Sequence, residues 1–97
     1  MPGYSGKQQV DRLLQTMAAR NTESSKESIA RQALSQNSVL AEDLKAILEQ
    51  FQHENTRLEF AKFAYKATCD RRNFYFINEA FSYDASIREL EDYIKRR

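Results

Sequence analysis

The chain has 97 residues, which is enough for one domain and too few for two. Its hydrophobic fraction of 41% and charged fraction of 30% are those of a folding chain and argue against disorder throughout. Lys and Arg number 15 and Asp and Glu number 14, with neither half of the chain polarised, so the charge shows no broad footprint for nucleic acid.

Helix breakers are confined to the amino end of the chain. The two glycines stand at positions 3 and 6 and the only proline is Pro2. We predict a flexible N-terminal tail over residues 1–9 and a single domain over residues 10–97. From Lys7 onward the chain offers no Gly for hairpin turns and is rich in helix-forming residues, which favours helix over strand.

Apolar residues recur at the spacing of one helix face in four segments, and two further segments, about 25–36 and 56–68, have broader apolar coverage. The four sets, in chain order, are Val10, Leu13, Leu14 and Met17; Leu44, Ile47, Leu48 and Phe51; Phe74, Ile77, Asn78 and Phe81; and Ile87, Leu90, Tyr93 and Ile94. The pattern predicts six helices and no strand.

Three predicted helix starts share a pattern, a hydroxyl residue three positions before a glutamate, which is that of the capping box. The three instances begin at Ser24, Thr56 and Ser86. Asp70 is predicted to cap the fifth helix, and Ser38 is our choice for the third.

The chain also repeats itself. At an offset of 30, residues 39–67 align with residues 69–97, so that Ile47 falls on Ile77 and Phe51 on Phe81. A weaker copy precedes them at an offset of 31, with three extra residues in its connection. We therefore predict an all-α fold of three antiparallel helix pairs with a period of about 30 residues, which stack because one pair cannot bury its own apolar face.

Two segments, 51–65 and 70–81, carry a resemblance to a known family. They contain the sequences Phe-Gln-His-Glu-Asn-Thr-Arg-Leu-Glu-Phe-Ala-Lys-Phe-Ala-Tyr and Asp-Arg-Arg-Asn-Phe-Tyr-Phe-Ile-Asn-Glu-Ala-Phe. In these motifs the chain resembles the mostly bacterial family called domain of unknown function 4476, over roughly residues 10–94. The resemblance implies a small helical-repeat fold, membership of a family whose proteins are often exported, and no defined activity.

Few residues suggest chemistry. His53 is the only histidine and lies in a predicted turn, and one histidine with one cysteine cannot supply four zinc ligands. Cys69 aligns with Val39, which favours a small packing position over a reactive thiol. We predict no enzyme activity, no cofactor and no metal site.

The aromatic residues are more informative, because most of them fall on apolar positions that the repeat preserves. Tyr75 and Phe76 do not: on an α-helix Phe74, Ile77 and Phe81 would cluster on one side, and Phe76 would lie about 140–160° from Phe81 and Phe74. A large apolar side chain that the repeat does not require is a candidate contact surface. The alternative is that Phe76 packs against an adjacent helix pair.

The leading functional hypothesis is a non-enzymatic interaction module that binds a protein or peptide in a groove between helix pairs, through Tyr75, Phe76 and Tyr83. The alternative is a small-ligand or nucleic-acid binder with Lys66, Arg71 and Arg72 as positive contacts, which the balanced charge disfavours. No apolar run approaches the ~18 residues of a membrane span and no signal-peptide core follows Met1. The compartment and the oligomeric state are left open.

Overall fold

The computed structural model of the protein describes residues 6–96, which form six helices and contain no strand. The helices are α1 (Lys7–Ala18), α2 (Glu23–Gln36), α3 (Ala41–Leu48), α4 (Glu54–Ala64), a 3₁₀ helix (Arg71–Ala80) and α5 (Asp84–Lys95). A single 3₁₀ turn, Tyr65–Ala67, continues α4. The predicted all-α class and the number of helices are confirmed. Residues 1–5 of the predicted tail lie outside the described residues, whereas residues 7–9 already belong to α1.

The helices lie in two rows. α1, α3 and the 3₁₀ helix contact one another in that order, and α2, α4 and α5 do the same in the second row. The Cα atoms span 32 × 31 × 18 Å, and the short dimension fits two layers of helices packed 8–10 Å apart. None of the helices over residues 6–96 has the length and apolar character needed to cross a bilayer.

The core lies between the two rows. Phe51 and Phe60 are fully buried and their ring centroids lie 5.4 Å apart in a tilted arrangement. Phe51 and Phe81, which the repeat aligns, are both buried, and each closes its helix by donating its N–H to the carbonyl oxygen three residues earlier. Most of the apolar residues that the spacing assigned to the core are therefore buried there, whereas five of them are half-buried: Leu13, Leu14, Ile87, Tyr93 and Ile94.

The fifth helix is a 3₁₀ helix and not the α-helix that the spacing predicted. With three residues per turn, Phe74, Ile77 and Ala80 stand above one another in a single row, and all three are buried. An α-helix would instead need an apolar residue at position 78, where the chain has Asn78. On the 3₁₀ helix Phe76 lies about 120° from the buried row, rather than 140–160°.

Three predictions about helix starts are wrong. α2 begins at Glu23 with Thr22 as its cap, the Thr22 Oγ1 accepting the N–H of Ser25 at 3.1 Å. α4 and α5 begin at Glu54 and Asp84, so that the predicted capping hydroxyls lie inside the first turn. An acidic residue at the first helical position is favourable because it faces the positive end of the helix dipole.

Asp70 caps a different helix from the one predicted. Its Oδ1 accepts the N–H of Ala41, the first residue of α3, at 2.7 Å. Leu40, which precedes α3, has no side-chain acceptor, so the cap is supplied from 29 residues further along the chain. Next to it, an isolated parallel bridge joins Val39 to Thr68.

Candidate interaction surface

Glu23, the first residue of α2, binds the turn that precedes α4. Its carboxylate accepts the backbone N–H groups of Gln52 at 2.9 Å and His53 at 2.8 Å, and the hydroxyl of Thr56 donates to it as well. Partial burial by itself raises the pKa of Glu23, but these hydrogen bonds outweigh it and hold the pKa below its usual value. The predicted capping hydroxyl therefore joins two helices.

Glu54 makes the same set of contacts one unit further on. Its carboxylate accepts the N–H groups of Ser82 and Tyr83, each at 3.1 Å, and a hydrogen bond from the hydroxyl of Ser86. Partial burial again raises the pKa, and these three hydrogen bonds together with the charge of Arg57 lower it overall. We call the Glu23 and Glu54 contacts the carboxylate clamps.

Basic side chains accompany each clamp. The Lys26 Nζ donates to the carbonyl oxygen of Gln50 at 3.2 Å, and the Arg57 Nη1 donates to the carbonyl oxygen of Ala80 at 2.6 Å. Lys26 lies in the first turn of α2 and binds the segment that follows α3. Arg57 lies in the first turn of α4 and binds the last residue of the 3₁₀ helix.

A second pair of basic residues lies over aromatic rings. The Arg31 guanidinium carbon is 4.7 Å from the centroid of the Phe63 ring, and the Lys62 Nζ is 5.6 Å from that of Tyr93. Contacts of this kind add a modest electrostatic attraction to the packing. Lys62 also donates to Glu89 at 2.8 Å, a hydrogen bond that raises the lysine pKa.

The carboxyl-terminal helix departs from this pattern. At the repeat offset of 30, Asp84 aligns with Glu54, Ile87 aligns with Arg57, and Asp92 aligns with Lys62. Asp84 and Asp92 are exposed and Ile87 is half-buried. The face of α5 that corresponds to the contact-making face of α4 is therefore open to solvent within the described part of the chain.

A groove of about 260 Å³ lies on this open face, between the 3₁₀ helix and α5. We call it the end groove. Its apolar lining includes Phe74, Tyr75, Ile87, Leu90 and Ile94, and its charged lining consists of Arg71, Arg72 and Glu91. By contrast, a hollow of about 570 Å³ on the surface of α1 has a polar and charged lining, formed by Gln8, Gln9, Asp11, Arg12 and Gln15.

The three predicted contact residues are exposed, Tyr75 and Tyr83 by 65% and Phe76 by 36%. The rings of Tyr75 and Phe76 touch edge to face with centroids 5.0 Å apart. Tyr75 lines the end groove, and Phe76 lies in the next row of the 3₁₀ helix. Tyr83 lies apart from both, at the residue before α5, where Glu54 binds its backbone.

The residues of the alternative hypothesis are only partly gathered. Arg71 and Arg72 both line the end groove. Arg71 is held in place, because its Nη2 donates to the carbonyl oxygen of Lys66 at 2.9 Å and its guanidinium lies over the ring of Tyr65. The Lys66 side chain lines other hollows, beside Phe63.

Cys69 is exposed, so the prediction that it packs is wrong. Its N–H donates to the carbonyl oxygen of Val39 at 2.9 Å in an extended segment, where neighbouring side chains point to opposite sides. Thr68 is the residue that turns inward. His53 is exposed at the start of α4, and residues 6–96 contain no group of three or more candidate metal ligands.

Sequence reasoning missed Ile87 and Ile94 as lining of the end groove. The signal was present in the repeat itself, since Ile87 replaces the charged Arg57 of the preceding unit with an apolar residue and Ile94 replaces Ala64 with a larger one. Both substitutions fall on the face that is open to solvent within residues 6–96.

Comparison with known proteins identifies the family. No curated protein and no solved structure matches the chain. A family model described as "Domain of unknown function (DUF4476)" matches residues 5–94, which is nearly the whole chain and agrees with the resemblance seen in segments 51–65 and 70–81. The chain therefore belongs to the family of domain of unknown function 4476.

Proposed function

We propose that this chain is a non-enzymatic interaction module, a repeat of three helix pairs that binds a partner protein in its end groove. The recurring contacts support the repeat: the two carboxylate clamps use equivalent residues, and so do the hydrogen bonds of Lys26 and Arg57. In repeat proteins each unit contacts its neighbours, and among residues 6–96 no unit covers the side of the last helix pair that holds the end groove.

One observation carries the binding proposal. Ala64 in the middle unit is fully buried, whereas its equivalent Ile94 in the last unit is only half-buried and lines an open groove together with the exposed Tyr75. Apolar side chains that line a groove at the surface are candidates for contact with a partner. Aromatic side chains such as Tyr75 are enriched in the buried centres of such interfaces.

Site-specific photo-crosslinking tests this proposal. A benzoylphenylalanine residue is placed at Tyr75 in the end groove, and at Gln15 on the polar surface of α1 as the control. We expect a discrete crosslinked protein from position 75 and none from position 15. The absence of a crosslinked protein at position 75, or the same products at both positions, would overturn the proposal.

The crosslinked protein is then purified and its affinity for the chain is measured. We expect Ile94→Lys to raise the Kd about tenfold or more, since it places a charge in the apolar groove. The control Gln15→Lys leaves the Kd within about twofold, because it changes only the polar surface of α1. Equal effects of the two substitutions would show that the partner binds elsewhere.

A further inference from the structure

We propose that the partner in the end groove is a second copy of this chain, in a two-fold dimer in which the 3₁₀ helix of each copy crosses α5 of the other. The inference rests on the proposed function, because it names the occupant of the same groove. Three features of the molecule carry it: what covers the equivalent interior face, the polarity of the other end, and the charges along the groove.

The interior of the fold shows what kind of element fits this face. Leu44 and Phe60 are fully buried, and the helices against which α3 and α4 pack on this side are the 3₁₀ helix and α5. Phe74 and Leu90 are their equivalents in the last unit, at the floor of the end groove. The structural element that fits over the groove is therefore another helix pair. The pair whose surface each copy leaves uncovered is the 3₁₀ helix with α5.

The polarity of the opposite end disfavours a head-to-tail arrangement. The outer surface of α1 presents exposed Gln9, Arg12 and Gln15. Docking this surface into the apolar groove of another copy would bury polar groups against Phe74 and Ile94, which costs free energy where no hydrogen-bond partner replaces water. It would also leave an open end on every assembly, whereas two end grooves facing each other form a closed dimer.

The charges on the two walls complement each other under a two-fold axis that runs along the groove. Arg72 stands on the 3₁₀ helix and Glu91 on α5, both exposed, and neither takes part in the ion pairs formed among residues 6–96. The axis brings Arg72 of each copy opposite Glu91 of the other, so that the same pair forms twice. An interface of two identical surfaces requires this self-complementarity. Arg71, held against Tyr65, adds to the positive wall.

Sedimentation velocity on the full chain, over two orders of magnitude in concentration, measures the dimer directly. We expect a concentration-dependent rise to twice the chain mass of 11.4 kDa. Arg72→Glu and Glu91→Arg, each alone, are expected to raise the dimer Kd about tenfold or more, because each places like charges opposite one another twice. The control Arg12→Glu, on α1, leaves the dimer Kd unchanged.

Mixing the two charge-reversed proteins gives the sharpest readout. Each is expected to dimerise at least tenfold more weakly than wild type when alone, but in a mixed dimer the introduced glutamate of one chain faces the introduced arginine of the other, and the native Arg72 and Glu91 that remain face each other. A heterodimer should therefore form with nearly the wild-type Kd, and its formation also shows that both variants are folded. A wild-type chain that stays monomeric throughout, single variants that dimerise as tightly as wild type, or a mixture that stays monomeric would each overturn the inference.

The crosslink from position 75 separates this inference from the proposed function. A product of two identical chains supports both. A product with a different protein overturns the second-copy inference and leaves the interaction module standing. If position 75 gives no specific crosslinked product, both the inference and the proposed function are overturned.

Discussion

Phe51 and Phe81 are equivalent anchors at the ends of α3 and the 3₁₀ helix, 1% and 9% exposed. Truncation of Phe51 or Phe81 to Ala is expected to lower the free energy of unfolding by about 3–5 kcal/mol, because it removes a buried ring and leaves a cavity. That is a large share of the ~5–15 kcal/mol that stabilises a domain. Urea denaturation measures the loss. A Phe51→Ala protein that melts within a degree or two of wild type would show the repeat register to be wrong.

Phe76 and Ile77 are neighbours with opposite environments, 36% and 0% exposed. Phe76→Ser is expected to cost on the order of 1 kcal/mol, or ~4–8 °C in Tm for a domain of this size, because the ring already has a large share of its surface in water. Ile77→Ser, the matched control, should cost several kcal/mol, since cavity and desolvation terms add. A fall of more than ~10 °C for Phe76→Ser would assign Phe76 to the core.

The exposure of single residues was predictable where the repeat decides it. Tyr75, Phe76 and Tyr83 stand at positions where the preceding unit has no large apolar residue, and all three are exposed. Cys69 was not predictable in this way, because its aligned partner Val39 is buried and only the local direction of the extended segment sets the two apart.

At the scale of the helices, the Glu54 clamp makes the contact between α4 and α5 dependent on pH. The pKa of Glu54 is lower in the folded chain than in the unfolded one, so the clamp stabilises fully above the ordinary glutamate pKa of about 4.3 and its contribution is lost as the pH falls through the folded value. Glu54→Gln removes the negative charge that strengthens the hydrogen bonds from both N–H groups, and we expect a loss of about 1 kcal/mol at pH 7. Thermal melts between pH 7 and pH 3 measure it.

The acid dependence is the discriminating part of that experiment. The Tm of wild type should fall more steeply below about pH 4.3 than that of Glu54→Gln, which has lost the titrating clamp. Asp92→Asn, an exposed carboxylate on α5, serves as the control and should follow wild type. Parallel acid profiles for wild type and Glu54→Gln would show that the clamp does not contribute to folding stability.

The cap that Asp70 supplies to α3 gives a second prediction at this scale. Asp70→Ala leaves the N–H of Ala41 without its acceptor, and we expect a loss of about 0.5–2 kcal/mol in unfolding free energy. Asp70→Asn keeps an acceptor oxygen and should lose less. Denaturant titration of the three proteins compares them, and an Asp70→Ala protein as stable as wild type would exclude the cap as a stabilising contact.

The number and order of the helices were predictable, since a Gly-free and Pro-free run with apolar spacing leaves no alternative to helix. The type of the fifth helix was not, because the difference between three and 3.6 residues per turn depends on whether Asn78 or Ala80 is turned inward. The starts of α4 and α5 were misplaced because Thr56 and Ser86 carry the capping pattern but donate to the clamp of the preceding unit.

At the scale of the whole molecule, the mixed charge of the end groove predicts a weak response to salt. Arg72 and Glu91 oppose each other across the groove, and the net charge of the chain is +1. Partner affinity is expected to change less than about tenfold between 50 and 200 mM salt, whereas phosphate-based binding loses about 10³–10⁵ over that range. A steep loss of affinity in a salt titration would favour the nucleic-acid alternative through Arg71, Arg72 and Lys66.

The carboxylate clamps point the same way along the chain, from each unit to the next, and this makes the molecule open to lengthening. A tandem duplication of residues 39–68 would place a second Glu54 before a turn that offers the N–H groups of Gln52 and His53, which Glu23 already binds in the natural chain. Only the Asp70 cap lacks a counterpart at the new junction, where Leu40 takes its place. The longer protein should gain one unit and keep the same two ends.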